Sequence, residues 1–298
     1  MDEEVKRKGE PMMNMTGLLR KIAWRVNLLQ KALSFPLKTD WGGVLREIFS
    51  SHSQTPSYPQ LHLLREENSL GCYRVREREV WFPLGFDPSF LGLMYEEIFV
   101  QKVYEYSGCR IHPGEWVVDA GACEGFFSLY ALERGANVLA FEPVPEIAGA
   151  LERTLKEYIK AGRAKVYPFG LGREREEKTI FLFSAFAASN TLNQEVTGCH
   201  LERGMKVDRE ERVLIVPLDE VVSNLNLPIS FLKADVEGFE RELLLGAQET
   251  IRRYKPRLSI CTYHLPDDWR EIPRIVESFG MGYRIKFRGG FFNHMYGW

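Results

Sequence analysis

The 298-residue sequence is poor in cysteine and has none in a pair that would grip a metal or build a framework. Cys72, Cys109, Cys123, Cys199 and Cys261 are odd in number, widely spread and form no C-x-x-C. This argues against a disulfide scaffold and a thiolate zinc site, and it fits a reducing compartment. No run approaches the roughly 18 apolar residues of a membrane span, and the start, MDEEVKRKGE, lacks a signal peptide's apolar core. Charge of one sign is also missing. With 39 basic residues against 41 acidic ones, a net of −2, no global field points to nucleic acid or an anionic membrane. A soluble, cytoplasmic protein with no nucleic-acid partner is expected. At 45% hydrophobic, the chain suffices for one large α/β domain with an appendage.

What the chain does have is concentrated in VVDAGACEGFFSLYALERG, residues 117 to 135, and LAFEPVPE, residues 139 to 146. The run Trp116-Val117-Val118 reads as a strand buried on both faces of a parallel sheet, with Asp119 at its carboxyl end. Gly121, Ala122 and Gly125 let the backbone turn tightly against a ligand, and a helix opens near Glu124 with free N–H groups toward the cleft. In an open α/β sheet that crevice binds small ligands. The loop reads G-A-C-E-G and lacks the middle glycine of G-x-G-x-x-G, so a pyrophosphate has less room, and Asp119 would repel it. An ammonium group would instead find Asp119 useful, directly or through water. Glu142 ends the next strand, where a carboxylate accepts both hydroxyls of a ribose. A cationic amino-acid head, a ribose and no phosphate describe S-adenosylmethionine (SAM) better than NAD. Cys123, inside the loop, is most simply a small residue chosen for fit.

A second chemical centre is FLKADVEGFERELLLGA, residues 231 to 247. Ile229 to Ala234 reads as a buried strand ending in Asp235; Glu237 follows, and Gly238 permits the turn into a helix buried along Phe239, Leu243, Leu244, Ala247 and Ile251. Asp235 either reaches the cleft or caps that helix. RLSICTYH, 257 to 264, reads as the next strand, presenting His264 beside Tyr263.

These stretches, with SICTYHLPDDWREIP at 259 to 273, resemble the FkbM-type SAM-dependent methyltransferases over roughly residues 90 to 298. The resemblance implies an α/β fold of the Rossmann-like class I methyltransferase type. Its mostly parallel seven-stranded sheet has helices on both faces and closes with an antiparallel hairpin, YRIKFR and FFNHMYG. Asp119, Gly121 and Glu142 carry over as cofactor contacts, joined by Ala122, Gly125 and Asp235. Leu171, after the third strand at 164 to 169, either packs on the adenine or belongs to a glycine turn. Between 90 and 107, a helix would cover the cleft and turn Glu96 or Glu97 toward SAM. Strands at 178 to 184 and 212 to 218 frame an insertion whose Ser189, Asn190 and His200 are candidates for substrate contact or a lid; Arg288 and His294 are further candidates.

Residues 1 to 89 form an N-terminal extension ahead of the methyltransferase domain, 90 to 298. It is expected to hold an amphipathic helix at 16 to 35 (Leu18, Ile22, Val26, Leu29, Leu33), a short helix at 41 to 50, a linker at 51 to 60 and a small hairpin at 61 to 82. The first helix offers a surface for a homo-oligomer.

Since SAM is an activated donor, the protein must hold a nucleophile in line with the S–CH3 bond, exclude water and take a proton from a hydroxyl acceptor. Asp235, Glu237 and His264 are the catalytic candidates, with His264 as a base oriented by Asp235, typically worth about 10²- to 10⁴-fold. A carboxylate acceptor would need no base. The same three residues could instead hold a divalent cation that acidifies the hydroxyl; no metal ligand is assigned. The expected function is O-methylation of a sugar, glycan-linked or other small-molecule hydroxyl. The alternatives are N- or C-methylation of a small molecule or protein, and a non-catalytic SAM-binding subunit.

Overall fold

The computed structural model describes residues 58–288 and 294–298. The helices expected at 16 to 35 and 41 to 50, and most of the linker, lie outside the described residues.

Three antiparallel strands come first: β1 (Leu61–Glu67), β2 (Leu70–Val75) and β3 (Arg78–Pro83). The alternation of CYRVREREVWF predicts a single hairpin; β1 adds a third strand. Its sequence, LHLLREE, does not sustain a strand's alternation, and nearly all its residues, Leu63 and Leu64 included, are exposed. Asn68 and Ser69 both take positive φ, +50° and +64°, the backbone that a tight two-residue hairpin requires. Tyr73, Val75, Val80 and Phe82 face inward and share one hydrophobic core with the main sheet.

The main sheet begins with β4 (Trp116–Ala120), β5 (Asn137–Phe141) and β6 (Ala164–Tyr167). An inserted small sheet follows, made of β7 (Gly170–Leu171), β8 (Glu176–Leu182) and β9 (Arg209–Val216), with the helix Gln194–Glu202 between the last two. β10 (Ile229–Ala234), β11 (Arg257–Cys261), β12 (Ile285–Arg288) and β13 (His294–Gly297) complete the main sheet. Its order is β6-β5-β4-β10-β11-β13-β12. The five strands from β6 to β11 are parallel, and β13 runs antiparallel to both β11 and β12. This is the class I methyltransferase arrangement, with the expected closing hairpin.

Alternation along each strand divides the interior in two. Val117, Val138 and Phe231 face one core with the helix Phe126–Glu133. Val118, Leu139 and Leu232 face the other, with Leu243, Ile251, Ile272 and Val276 from the helices after β10 and β11. Chain direction reverses its walk across the sheet between β4 and β10, which opens the crevice at their carboxyl ends.

Two local expectations are corrected and a third is narrowed. The helix proposed for 90 to 107 is an α-helix, Leu91–Tyr95, running into a wider π turn, Glu96–Gln101; Lys102 then enters the left-handed region at φ +54°, so Val103 and Tyr104 leave the helix. β11 stops at Cys261, which puts His264 in the following loop. Pro273, which must lie near the start of its helix or kink it, stands inside the helix Asp268–Ser278.

Leu232 is fully buried in the centre of the sheet. Leu232→Ala should cost about 2–5 kcal/mol, read as a lower urea midpoint at unchanged m. A loss below about 1 kcal/mol would mean that the second core is not packed as described.

Candidate active site

Lys233 is the residue from which the site is built. A lysine in the middle of a doubly buried strand needs a partner, and the β4–β10 register sets it directly beside Asp119. Its Nζ donates to Asp119 Oδ1 at 3.0 Å, to the Ala120 carbonyl at 3.1 Å and to the Gly121 carbonyl at 2.7 Å. An ammonium has three donors, so all are spent on β4 and the start of its loop. Burial disfavours the cation, but Asp119 and Asp235 outweigh this and hold its pKa above the ordinary value. Asp119 also accepts from Ser128 Oγ at 2.7 Å, which ties the first turns of the helix Phe126–Glu133 to the same carboxylate.

The loop itself is pressed against the segment after β10. At Gly121, φ is +74° and a Cβ would run into the carbonyl oxygen of Asp235. Cys123 takes φ +44°, and its N–H donates to Glu142 Oε2 at 3.0 Å. The other oxygen, Oε1, accepts from Val144 N at 2.9 Å. Glu142 is thereby locked at the end of β5, with lone pairs left for a ligand.

These residues line a cavity of about 510 Å³, within the usual range for a small-molecule site. Gly121, Ala122, Glu124 and Glu142 line it together with Leu171, Ile180 and Phe239 and with Asp235, Glu237 and His264. The inserted segment contributes Phe186, Ser189, Asn190, Val196 and His200. Glu97 and Tyr104 close it from the π turn and the residues beyond. Burial pushes Glu97 up to about 8, aided by the charges of Asp235 and Glu124. Burial likewise pushes Glu124 and Glu142 up to about 7, against backbone hydrogen bonds and Lys233. The cavity therefore holds a surplus of carboxyls that a cationic ligand would ionise.

Within the cavity, Asp235 Oδ2 accepts from Tyr104 Oη at 2.6 Å and Oδ1 from Tyr263 Oη at 3.3 Å. Burial raises the Asp235 pKa, but Lys233, His264 and the Tyr104 hydroxyl more than reverse this and hold it below the ordinary value. Glu237 stands at φ +51°, an uncommon backbone for a side chain of this size. Its peptide oxygen accepts from Thr191 Oγ1 at 2.5 Å, and its carboxylate turns inward. His264 Nε2 lies 3.2 Å from Glu237 Oε1 and 3.6 Å from Asp235 Oδ1, and its Nδ1 lies 2.9 Å from Glu240 Oε1. Burial lowers its pKa, yet Glu240 and Glu237 carry it well above the ordinary value.

The structure thus brings Gly121, Ala122, Glu142, Leu171, Asp235, Glu237 and His264 to one cavity. Asp119 and Gly125 do not reach it. Asp119 is fully buried on its pair with Lys233, and a Cβ at Gly125 would meet Leu151, so that glycine serves helix packing. Arg288 and His294 also lie away from the lining; His294 Nε2 sits 3.2 Å from Cys261 Sγ. Of the pair at 96 and 97, Glu97 faces the cavity. Lys233, Tyr104 and Glu240 had not been singled out.

Residues 119–285, more than half of the chain, match the model of the methyltransferase FkbM domain. The chain belongs to the FkbM methyltransferase family. Among relatives, it is 30% identical over 206 residues to the AMB antimetabolite synthetase AmbE of Pseudomonas aeruginosa, a match spanning 57% of this chain and 10% of the synthetase. Similarity to the 31-O-demethyl-FK506 methyltransferase FkbM of Streptomyces tacrolimicus is 30% over 177 residues, 52% of this chain and 68% of that enzyme. Methyltransferase sdnD of Sordaria araneosa is 29% identical over 209 residues, 62% of this chain and 76% of that protein. The chain thus spans a tenth of the synthetase and about two thirds to three quarters of the other two. Among solved structures, methyltransferase FkbM from Methylobacillus flagellatus aligns with a TM-score of 0.48 at 22% identity, covering 64% of this chain and 45% of that one.

In this FkbM family member the buried pair is directly testable, since both side chains are at most 4% exposed. Lys233→Met leaves Asp119 charged and alone, which should cost about 3–5 kcal/mol of unfolding free energy. Adding Asp119→Asn should recover at least half of that loss. A single variant as stable as the wild type in urea would show that the pair carries no such weight.

Proposed function

We propose that the protein is a SAM-dependent O-methyltransferase acting on a hydroxyl of a sugar, a glycan-linked unit or another small molecule. The observation that carries this reading is that Glu142, Asp235, Glu237 and His264 line one cavity beside a tight loop. The donor set fits SAM. Glu142, fixed through both oxygens by backbone N–H groups, can accept from the ribose hydroxyls, and Leu171 with Phe239 offers an apolar seat for the adenine. Glu97, Glu124 and Asp235 suit an ammonium and a sulfonium. Bound there, SAM supplies an activated methyl group.

The chain's own residues then have three tasks. The π turn bearing Glu97 and the segment of Phe186 to His200 close the cavity and exclude water. Ser189, Asn190 and His200 hold a polar acceptor. Asp235, Glu237 and His264 take the hydroxyl proton. The imidazolium itself cannot accept that proton, so the base is the carboxylate-imidazole group after it has lost one proton. The 31-O-demethyl-FK506 methyltransferase, by its name a methyltransferase with an O-demethyl substrate, supports an oxygen acceptor.

Calorimetric titration with S-adenosylhomocysteine should show micromolar binding, weakened at least tenfold, or about 1.4 kcal/mol, by Glu142→Ala. No binding to the wild type would remove the basis of this reading.

The raised carboxyls add a signature. A cationic ligand binds their ionised forms, so binding releases protons and affinity rises with pH. The window follows from values near 7 and 8, hence roughly pH 6 to 9. Titrations in buffers of different ionisation enthalpy read the release; pH-independent affinity without proton release would contradict the electrostatic description.

A further inference from the structure

We propose that Asp235, Glu237 and His264 form a binding site for one divalent first-row metal ion, and that the ion receives the acceptor hydroxyl. The role given to the ion rests on the methyltransferase reading above; the ion's binding does not.

Geometry comes first. One ligand atom from each of the three residues lies within 4.8 Å of the others. His264 Nε2 is 3.2 Å from a Glu237 oxygen and 3.6 Å from an Asp235 oxygen. Neighbouring ligands on an octahedral ion with bonds of about 2.1 Å stand about 3 Å apart, so small side-chain rotations seat an ion here. The three residues come from the loops after two adjacent parallel strands, β10 and β11, and so are fixed relative to one another by the sheet.

The surroundings show a second, independent sign. His264 has only 4% of its side chain exposed, and neither ring nitrogen has an aligned hydrogen bond. Nδ1 nevertheless lies 2.9 Å from Glu240 Oε1. That carboxylate is itself held by the N–H groups of Val236 and Gly238, at 2.9 and 3.1 Å. A carboxylate behind one imidazole nitrogen, leaving the other to the ion, is the usual support of a metal-binding histidine. Asp235 is supported in the same way by the hydroxyls of Tyr104 and Tyr263. His200 repeats the pattern of want: it is buried, its ring nitrogens lack hydrogen bonds, and Nε2 is 3.7 Å from the outer oxygen of Glu237.

Charge points the same way. Asp235, Glu237 and Glu240 converge on a single imidazole, while the nearby Lys233 has all three donors committed elsewhere. With His264 neutral as a ligand, the three carboxylates put −3 at this place, and a divalent ion offsets two of those charges. A set of carboxylates and imidazoles suits Mn²⁺, Fe²⁺ or Zn²⁺ better than Ca²⁺, which takes oxygen ligands. An ion so placed lowers the pKa of a bound hydroxyl and positions its oxygen. With an ion bound, these three residues would hold it instead of taking the proton directly: the acidified O–H proton would pass to solvent, and the oxygen lone pair would form the new C–O bond as the C–S bond of the sulfonium breaks.

The test uses the full chain, stripped with EDTA and titrated with Mn²⁺. Loss of the free-ion signal in electron paramagnetic resonance measures binding, and calorimetry with Zn²⁺ provides a second probe. We expect one equivalent of Mn²⁺ bound by the wild type. Glu237→Gln and Asp235→Asn should each weaken it at least tenfold, while Glu237→Gln retains S-adenosylhomocysteine binding as proof of an intact fold. A wild type that binds neither Mn²⁺ nor Zn²⁺ overturns the proposal, as does Mn²⁺ binding that both substitutions leave unchanged. Because S-adenosylhomocysteine is titrated separately, loss of the methyltransferase reading would show in that experiment and not in the manganese one.

Discussion

One buried ammonium holds the working end of the sheet together. Lys233 reaches from β10 to the Asp119 carboxylate and to two consecutive carbonyls, Ala120 and Gly121. Asp119 extends that hold to Ser128 in the helix beyond the loop. The close approach of Gly121 to the Asp235 carbonyl follows from the same clamp. Strand, loop, helix and neighbouring strand are thus fixed by one charged pair that water cannot reach. In an interior of low dielectric such a pair is costly to break, and what it secures is the position of the loop rather than contact with a ligand.

Around that clamp the carboxylates are sorted by their neighbours. Glu97, Glu124 and Glu142 carry raised pKa values because burial outweighs what favours their ionised forms. Those facing cations, Asp235 and Glu237, are held low. The cavity therefore holds carboxyls that gain charge when a cation arrives beside others that are charged beforehand.

The strand ends were legible because each buried apolar run stops at an acid: Asp119, Glu142, Asp235. The clamp was legible in principle as well. A lysine inside FLKADVEG has no route to water from a doubly covered strand, and the nearest acid at matching depth in β4 is Asp119. Reading Asp119 first as a ligand contact hid that pairing. Gly125 misled in a similar way, because a glycine after a strand looks the same whether a ligand or Leu151 occupies the space. Glu240 gave no signal, since a glutamate opening a helix normally faces solvent and favours the helix dipole. Tyr104 was placed in a helix because helical spacing continues through Val103 and Tyr104; the left-handed Lys102 that ends it leaves no mark in the pattern.

The β4–β10 pairing joins residues more than a hundred positions apart, as in Lys233 to Asp119, while β4 and β5 are close neighbours in sequence. Such distant closure is slow, because the chain's loop entropy must be lost before the contacts repay it. During folding, β4, its loop and β5 can assemble early, with Asp119 open to water. The Lys233 bond can form only after β10 docks, and Asp235 and His264 meet later still, when β11 joins. The part of the cavity built on β4 and β5 is thus older in folding time than the part built on β10 and β11, and a chain stalled between the two stages would carry a solvated Asp119, with Asp235 apart from His264.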